Sequence, residues 1–142
     1  MEEKYLYFRT VTDQDDNDGI DDSIYVKASS ITGMFPTSAT AITIFFESVK
    51  NQESNSNDDE VVISDSVIIN HTAGLGKQVL QTIVRAINST APLYNDGVIT
   101  VADDVTTTYL TSTAGADETV SAQYIDGGIT SCGAITIAAA LT

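Results

Sequence analysis

The chain has 142 residues, 42% of them hydrophobic and 18% charged. That composition fits one globular domain burying roughly 70% of the surface its unfolded form exposes, and it excludes wholesale disorder. Twenty acidic residues face six basic ones, for a formal charge of -14, so phosphate backbones and anionic membranes are repelled and neither nucleic acid nor membrane is an expected partner.

No apolar run approaches the roughly 18 residues of a membrane-spanning helix. The opening MEEKYLYFRT lacks the basic and apolar regions of a secretory signal, which places synthesis in the cytoplasm.

Short runs rich in Ile, Val, Thr, Tyr and Phe recur between clusters of Asp, Asn, Gly and Ser, the pattern of strands separated by turns. The first predicted strand covers Lys4 to Val11 and the second Ser23 to Ser29. Between them lies TDQDDNDGIDDS, with six aspartates in twelve residues. A third strand covers Ala41 to Ser48, where Ile42, Ile44 and Phe46 point one way and Ala41, Thr43 and Phe45 the other. The second face is expected to be covered too, by the helix or by a neighbouring subunit.

The acidic stretch Lys50 to Asp59 lacks aromatics and reads as a flexible loop, and a strand follows over Glu60 to Ile69. The predicted helix spans Leu75 to Ser89, with Leu80, Ile83, Val84 and Ile87 at i, i+3, i+4 and i+7 and Val79 widening the stripe. Further strands are predicted over Val98 to Asp103, Thr106 to Thr111, Ala122 to Ile125 and Ala134 to Ala140. The expected architecture is a single α+β domain over 1–142: mainly antiparallel β-sheet, one amphipathic helix packed on it, and acidic loops at about 12–22 and 49–59. TSATAITI at 37–44 and TSCGAITI at 130–137 share six of eight positions, which suggests two edge or barrel-like strands in similar environments rather than a duplication.

Calcium loops of the D-x-D-x-D-G type set carboxylates on alternate residues before a glycine that permits a sharp bend. Aligning Gly19 with that glycine makes Asp16, Asp18 and Asp22 the candidate metal ligands. Gln14 then occupies the place of the first carboxylate, and Tyr25 that of the bidentate Glu, which excludes an EF-hand. The competing and preferred reading is a hairpin tip turned by Asp18-Gly19 without metal.

Gly74 to Lys77 reads GLGK, but a phosphate loop requires a glycine at His71 and a hydroxyl residue at Gln78, so the stretch reads as a helix start. Asp103 and Asp104 would point to opposite faces of a strand and do not converge as an acid and base. One His71, one Cys132 and no nucleophile elbow leave no catalytic residues to nominate. The sequons at Asn70 and Asn88 read as incidental.

Four segments carry a resemblance: DDSIYVKASSITGMFPTSATAITIFFESVKN, DSVIINHTAGLGKQVLQTIVRAIN, GVITVADDVTTTY and YIDGGITSCGAITIAAA. In that order they resemble a family of small proteins of marine tailed phages, especially those infecting cyanobacteria, over most of the chain. The resemblance implies a non-enzymatic virion protein made in the host cytoplasm, most plausibly a capsid decoration or cement component. It implies no cofactor. The expected partners are further copies of the chain, with a trimer preferred, and the major capsid or other virion proteins. The alternative is a calcium-dependent adhesion module, such as a tail or fibre accessory protein, working through the aspartate loop.

Overall fold

A computed structural model describes residues 3–13, 19, 21–47, 64–89, 97–109 and 117–137. Strands β1 (Tyr5–Arg9) and β2 (Ser23–Lys27) form the expected antiparallel hairpin, with Tyr5 opposite Lys27 and Arg9 opposite Ser23. A 3-10 turn, Ala28–Ser30, leads into β3 (Ile31–Ser38), which pairs with β4 (Ala41–Glu47). Strand β5 (Ser64–His71) precedes helix α1 (Gly76–Ile87), and β6 (Val98–Asp103), β7 (Thr107–Tyr109), β8 (Asp117–Thr119), β9 (Gln123–Tyr124) and β10 (Ile129–Thr136) follow.

Two four-stranded sheets result, ordered β2-β1-β6-β9 and β10-β5-β4-β3, with β7 and β8 as a separate pair. The fold is α+β and the sheets are mostly antiparallel. The exception is β1 with β6, which run parallel because the crossover through the second sheet and α1 returns the chain in the same direction.

One apolar cluster joins the sheets. Leu6, Phe8, Val26, Ile99 and Val101 come from the first sheet, Ile42, Ile44, Phe46, Val67 and Ile69 from the second, and Val79, Ile83 and Ala86 from α1. Each fully buried Ile, Val, Leu or Phe contributes about 1.5–3 kcal/mol of burial free energy. The alternation expected of β4 holds: Ile42, Ile44 and Phe46 are fully buried, and Phe45 on the other face stacks on Phe35 of β3 with centroids 5.1 Å apart. Pro36 sits in β3, an edge strand, where a missing N–H costs no ladder bond.

The helix falls where its periodicity predicts, but its buried stripe is rotated. Val79, Ile83 and Ala86 face the core, and Val84 is 43% exposed. Thr82 explains the rotation: its hydroxyl donates to Asp126 Oδ2 at 2.6 Å and Gln78 donates to Oδ1 at 2.9 Å, which fixes the polar side of the helix against the β9–β10 connection. At the other end Lys4 Nζ donates to the Ala86 carbonyl at 3.0 Å and to that of Ser89. A cation there both satisfies terminal carbonyls and complements the helix dipole.

Three strand assignments differ from the sequence reading. β3 and β8 were not expected, and β10 begins at Ile129 rather than Ala134. Residues 110–111 and 138–140 of the predicted strands, the start of the Glu60 to Ile69 strand and the loop at 49–59 lie outside the described residues. The two similar segments each supply a strand that pairs antiparallel with β5, but only β10 is an edge strand, since β4 lies between β5 and β3.

Candidate functional site

Three groups of side chains carry chemistry in this fold. The first lies where β6 ends. Asp104 is 8% exposed, and its Oδ1 accepts the Tyr124 hydroxyl at 2.7 Å and the Cys132 backbone N–H at 2.9 Å. Asp103 instead accepts the N–H of Val105 through Oδ1 at 3.1 Å. The two carboxylates therefore serve different partners, as strand alternation predicted.

Burial, with the Asp104 and Asp103 carboxylates close by, pushes the Cys132 thiol up to about 12. Burial and the hydrogen bond to Asp104 also raise the Tyr124 hydroxyl far above its ordinary range. At neutral pH both groups stay protonated, so Cys132 is held as a thiol rather than a nucleophilic thiolate. The arrangement joins the two sheets: Asp104 follows β6, Tyr124 is on β9 and Cys132 is on β10.

The second group surrounds the start of α1. His71, 4% exposed, approaches the Thr72 carbonyl with Nδ1 at 2.8 Å. A carbonyl can only accept, so Nδ1 carries a proton and donates it. Nε2 has no hydrogen-bond partner among the described residues. It faces Gly76, where an added Cβ would stand 3.2 Å away, so any larger residue would require the ring to shift by a few tenths of an ångström. Asp126 places a carboxylate beside the first turns of the same helix. Burial works upward on that carboxyl but is outweighed by bonds from Thr82, the Gly128 N–H and Gln78, which hold it below the usual range. GLGK is thus the start of a helix, as its spacing implied.

The aspartate loop forms the third group, and it is described only in part. Asp16 and Asp18 lie outside the described residues. Asp22 Oδ2 accepts the Gly19 N–H at 2.6 Å, the Asp22 N–H reaches the Gly19 carbonyl at 3.3 Å, and Thr10 donates its N–H to the Asp22 carbonyl at 2.9 Å. These contacts close a turn with Asp22 as its side-chain acceptor. Among the described residues no group of three or more His, Cys, Asp or Glu side chains is placed to hold a metal.

Two outer surfaces present aromatic rings. On the second sheet Phe35 is 48% exposed beside Phe45. On the first, Tyr5 and Tyr25 are 37% and 59% exposed, and the Tyr7 and Tyr25 rings lie 4.6 Å apart at 39°. The sequence signalled the Phe45 face through strict alternation. It gave no signal for Phe35, because Gly33 and Pro36 disguise β3 as a loop. No helix among the described residues is long and apolar enough to cross a membrane.

Comparison with family models, curated proteins and solved structures finds no match to this chain.

Proposed function

We propose that the chain is a non-enzymatic structural protein of a phage particle, a capsid-surface decoration or cement component that assembles as a homo-oligomer through its β-sheets. The observation that carries this reading is the placement of aromatic rings on the outer faces of both four-stranded sheets, in a chain whose net charge is -14. Rings on a rigid sheet are ordered before contact, so covering them gains apolar burial at little cost in side-chain entropy. The Asp104 junction supports the same reading, because it stiffens the framework that presents those rings and holds its thiol unreactive.

Resemblance to small marine-phage proteins supplies the setting, with the capsid surface or other virion proteins as the second partner. The calcium-dependent alternative gains no support from the described part of the aspartate loop, where Asp22 is engaged in the turn.

Two measurements test the proposal. Light scattering at micromolar concentration should give a mass well above 15.1 kDa, with three times that value expected for the preferred trimer. Purified particles of a phage encoding the chain should contain it and should rebind recombinant protein in a sedimentation assay. Absence from the particles would overturn the virion assignment.

A further inference from the structure

We infer that the outer face of the β2-β1-β6-β9 sheet, centred on Tyr25, docks a basic surface of a different protein, one that presents lysines or arginines to its tyrosine rings and carboxylates. The inference rests on the reading of the chain as a component that also contacts a second kind of protein, and it goes further by naming the face and the partner's chemistry. Along β1, Leu6 and Phe8 enter the core, so Tyr5, Tyr7 and Arg9 face outward. Along β2, Val26 is buried and Ile24 packs against the core, so Ser23, Tyr25 and Lys27 face outward. Register sets Tyr7 opposite Tyr25, and their rings lie 4.6 Å apart with Tyr25 59% exposed.

Charge selects the occupant. Arg9 and Lys27 are the described cations of the face. Against them stand Asp103, opposite Arg9 on β6, and Glu3, on which Lys27 acts electrostatically. Asp13, Asp21 and Asp22 lie beside the ends of β1 and β2, so five carboxylates meet two cations. Lys4 is committed to the end of α1, where its Nζ donates to the Ala86 and Ser89 carbonyls. The neighbouring sequence adds no cation: TDQDDNDGIDDS between β1 and β2 holds no basic residue, and none follows Arg85, so β6 and β9 supply none.

Two copies meeting face to face here would press carboxylate against carboxylate, which strongly opposes association, so the contact between copies belongs elsewhere. Among the described residues no three His, Cys, Asp or Glu side chains converge on one point. The described carboxylates are therefore spread along the sheet rather than gathered around an ion. Spread charge on an open strand face matches a protein surface with separated cations, whereas a small ligand needs a concave site. The rings add to the match, because the face of a tyrosine attracts a lysine or arginine through its quadrupole, and Tyr is among the residue types that most often anchor protein interfaces.

NMR titration of the full chain with a short lysine-arginine peptide tests the inference, with a glutamate peptide as control. Amide shifts should fall in residues 5–9 and 23–27, fade at raised salt and be absent with the glutamate peptide. Tyr25→Ser removes the exposed ring without changing the charge and should weaken peptide binding about fivefold, the loss expected of a cation–π contact. Lys27→Glu should strengthen binding several-fold, while Lys77→Glu, the same change of charge on the outer side of α1, should leave it unchanged. All three alter exposed side chains and should keep the wild-type melting curve and light-scattering mass. Equal strengthening by Lys27→Glu and Lys77→Glu would reduce the binding to net charge and overturn the inference. Shifts along α1, no binding at all, or full-strength binding by Tyr25→Ser would overturn it as well. A Tyr25→Ser variant that loses the oligomer would give the face to a second copy and overturn it too. A wild type that stays at 15.1 kDa would overturn the homo-oligomer reading, and particles that lack the chain the virion reading, while the peptide result would still decide the face.

Discussion

Asp104 Oδ1 accepts the backbone N–H of Cys132 at 2.9 Å, a bond that ties the end of one sheet to an edge strand of the other. The same oxygen takes the Tyr124 hydroxyl at 2.7 Å, so one buried carboxylate satisfies donors from two strands. Asp104→Ala removes that acceptor and leaves the buried Cys132 N–H unpaired, at a cost of about 1–3 kcal/mol, with a further loss from the part-buried Tyr124 hydroxyl. Urea unfolding should therefore show a loss of about 2–5 kcal/mol, and Asp104→Asn, which keeps an acceptor oxygen, should lose less. Equal stability of all three proteins would mean that the junction is not closed in solution.

The rotation of α1 gives a second prediction. Ile83 is fully buried and Val84, its neighbour in sequence, is 43% exposed. Ile83→Asp brings an unpaired charge into the core and should leave the protein unfolded or insoluble, whereas Val84→Asp should change stability by no more than about 0.5 kcal/mol. Circular dichroism and solubility measurements separate the two. A Val84→Asp variant as insoluble as Ile83→Asp would put the buried stripe where the sequence alone placed it.

Where the sequence could be read, apolar spacing matched a regular period. Ile42, Ile44 and Phe46 repeat every second residue, and Val79, Ile83 and Ala86 follow the helix, so β4 and α1 were legible. β10 was not. Its buried residues are Ile129, Cys132 and Ile135, spaced by three, because the pairing with β5 slips between Ile129 and Ser131 and again between Cys132 and Ile135. Each bulge admits one extra residue and returns the next apolar side chain to the core. Gly133 sits in the second bulge, where a Cβ would stand 2.9 Å from Ile68. A period of three resembles neither a strand nor a helix.

The candidate site was legible in the same uneven way. Strand alternation correctly separated Asp103 from Asp104, but nothing local links Asp104 to Tyr124 and Cys132, which are 20 and 28 residues away. Such a junction emerges only once the sheets are assembled. The outer tyrosines were likewise hidden, since Tyr5, Tyr7 and Tyr25 share a face only through the β1–β2 register.

The buried thiol gives a prediction about alkaline pH. Cys132 is raised to about 12 and Tyr124 is raised as well, so the folded state holds protons that the unfolded chain releases from about pH 8.5 for Cys and about 10 for Tyr. The stability tied to these groups is complete below the unfolded values and declines as pH rises through the folded ones, by at most about 1.4 kcal/mol per pH unit for each group. Cys132→Ala should flatten the decline between pH 9 and 12. At pH 8 the native thiol should react with a disulfide reagent far more slowly than in denaturant. Rapid labelling of the folded protein would show that the junction opens readily.

The aspartate loop supplies the last prediction. Asp22 accepts the Gly19 N–H and holds the turn, and an asparagine there still offers a carbonyl oxygen to that donor. Replacing Asp16, Asp18 and Asp22 together with Asn removes three negative charges from a chain at -14 and should move stability by no more than about 0.5 kcal/mol. The melting temperatures of wild type and variant should then agree closely, in calcium and in chelator alike. An ion that binds only the folded state would instead stabilise it by about 2.7 kcal/mol at a hundred times its dissociation constant, a shift easily seen in a domain of this size. A calcium-dependent rise in wild type that the triple variant abolishes would therefore establish these aspartates as ligands and displace the solvated turn.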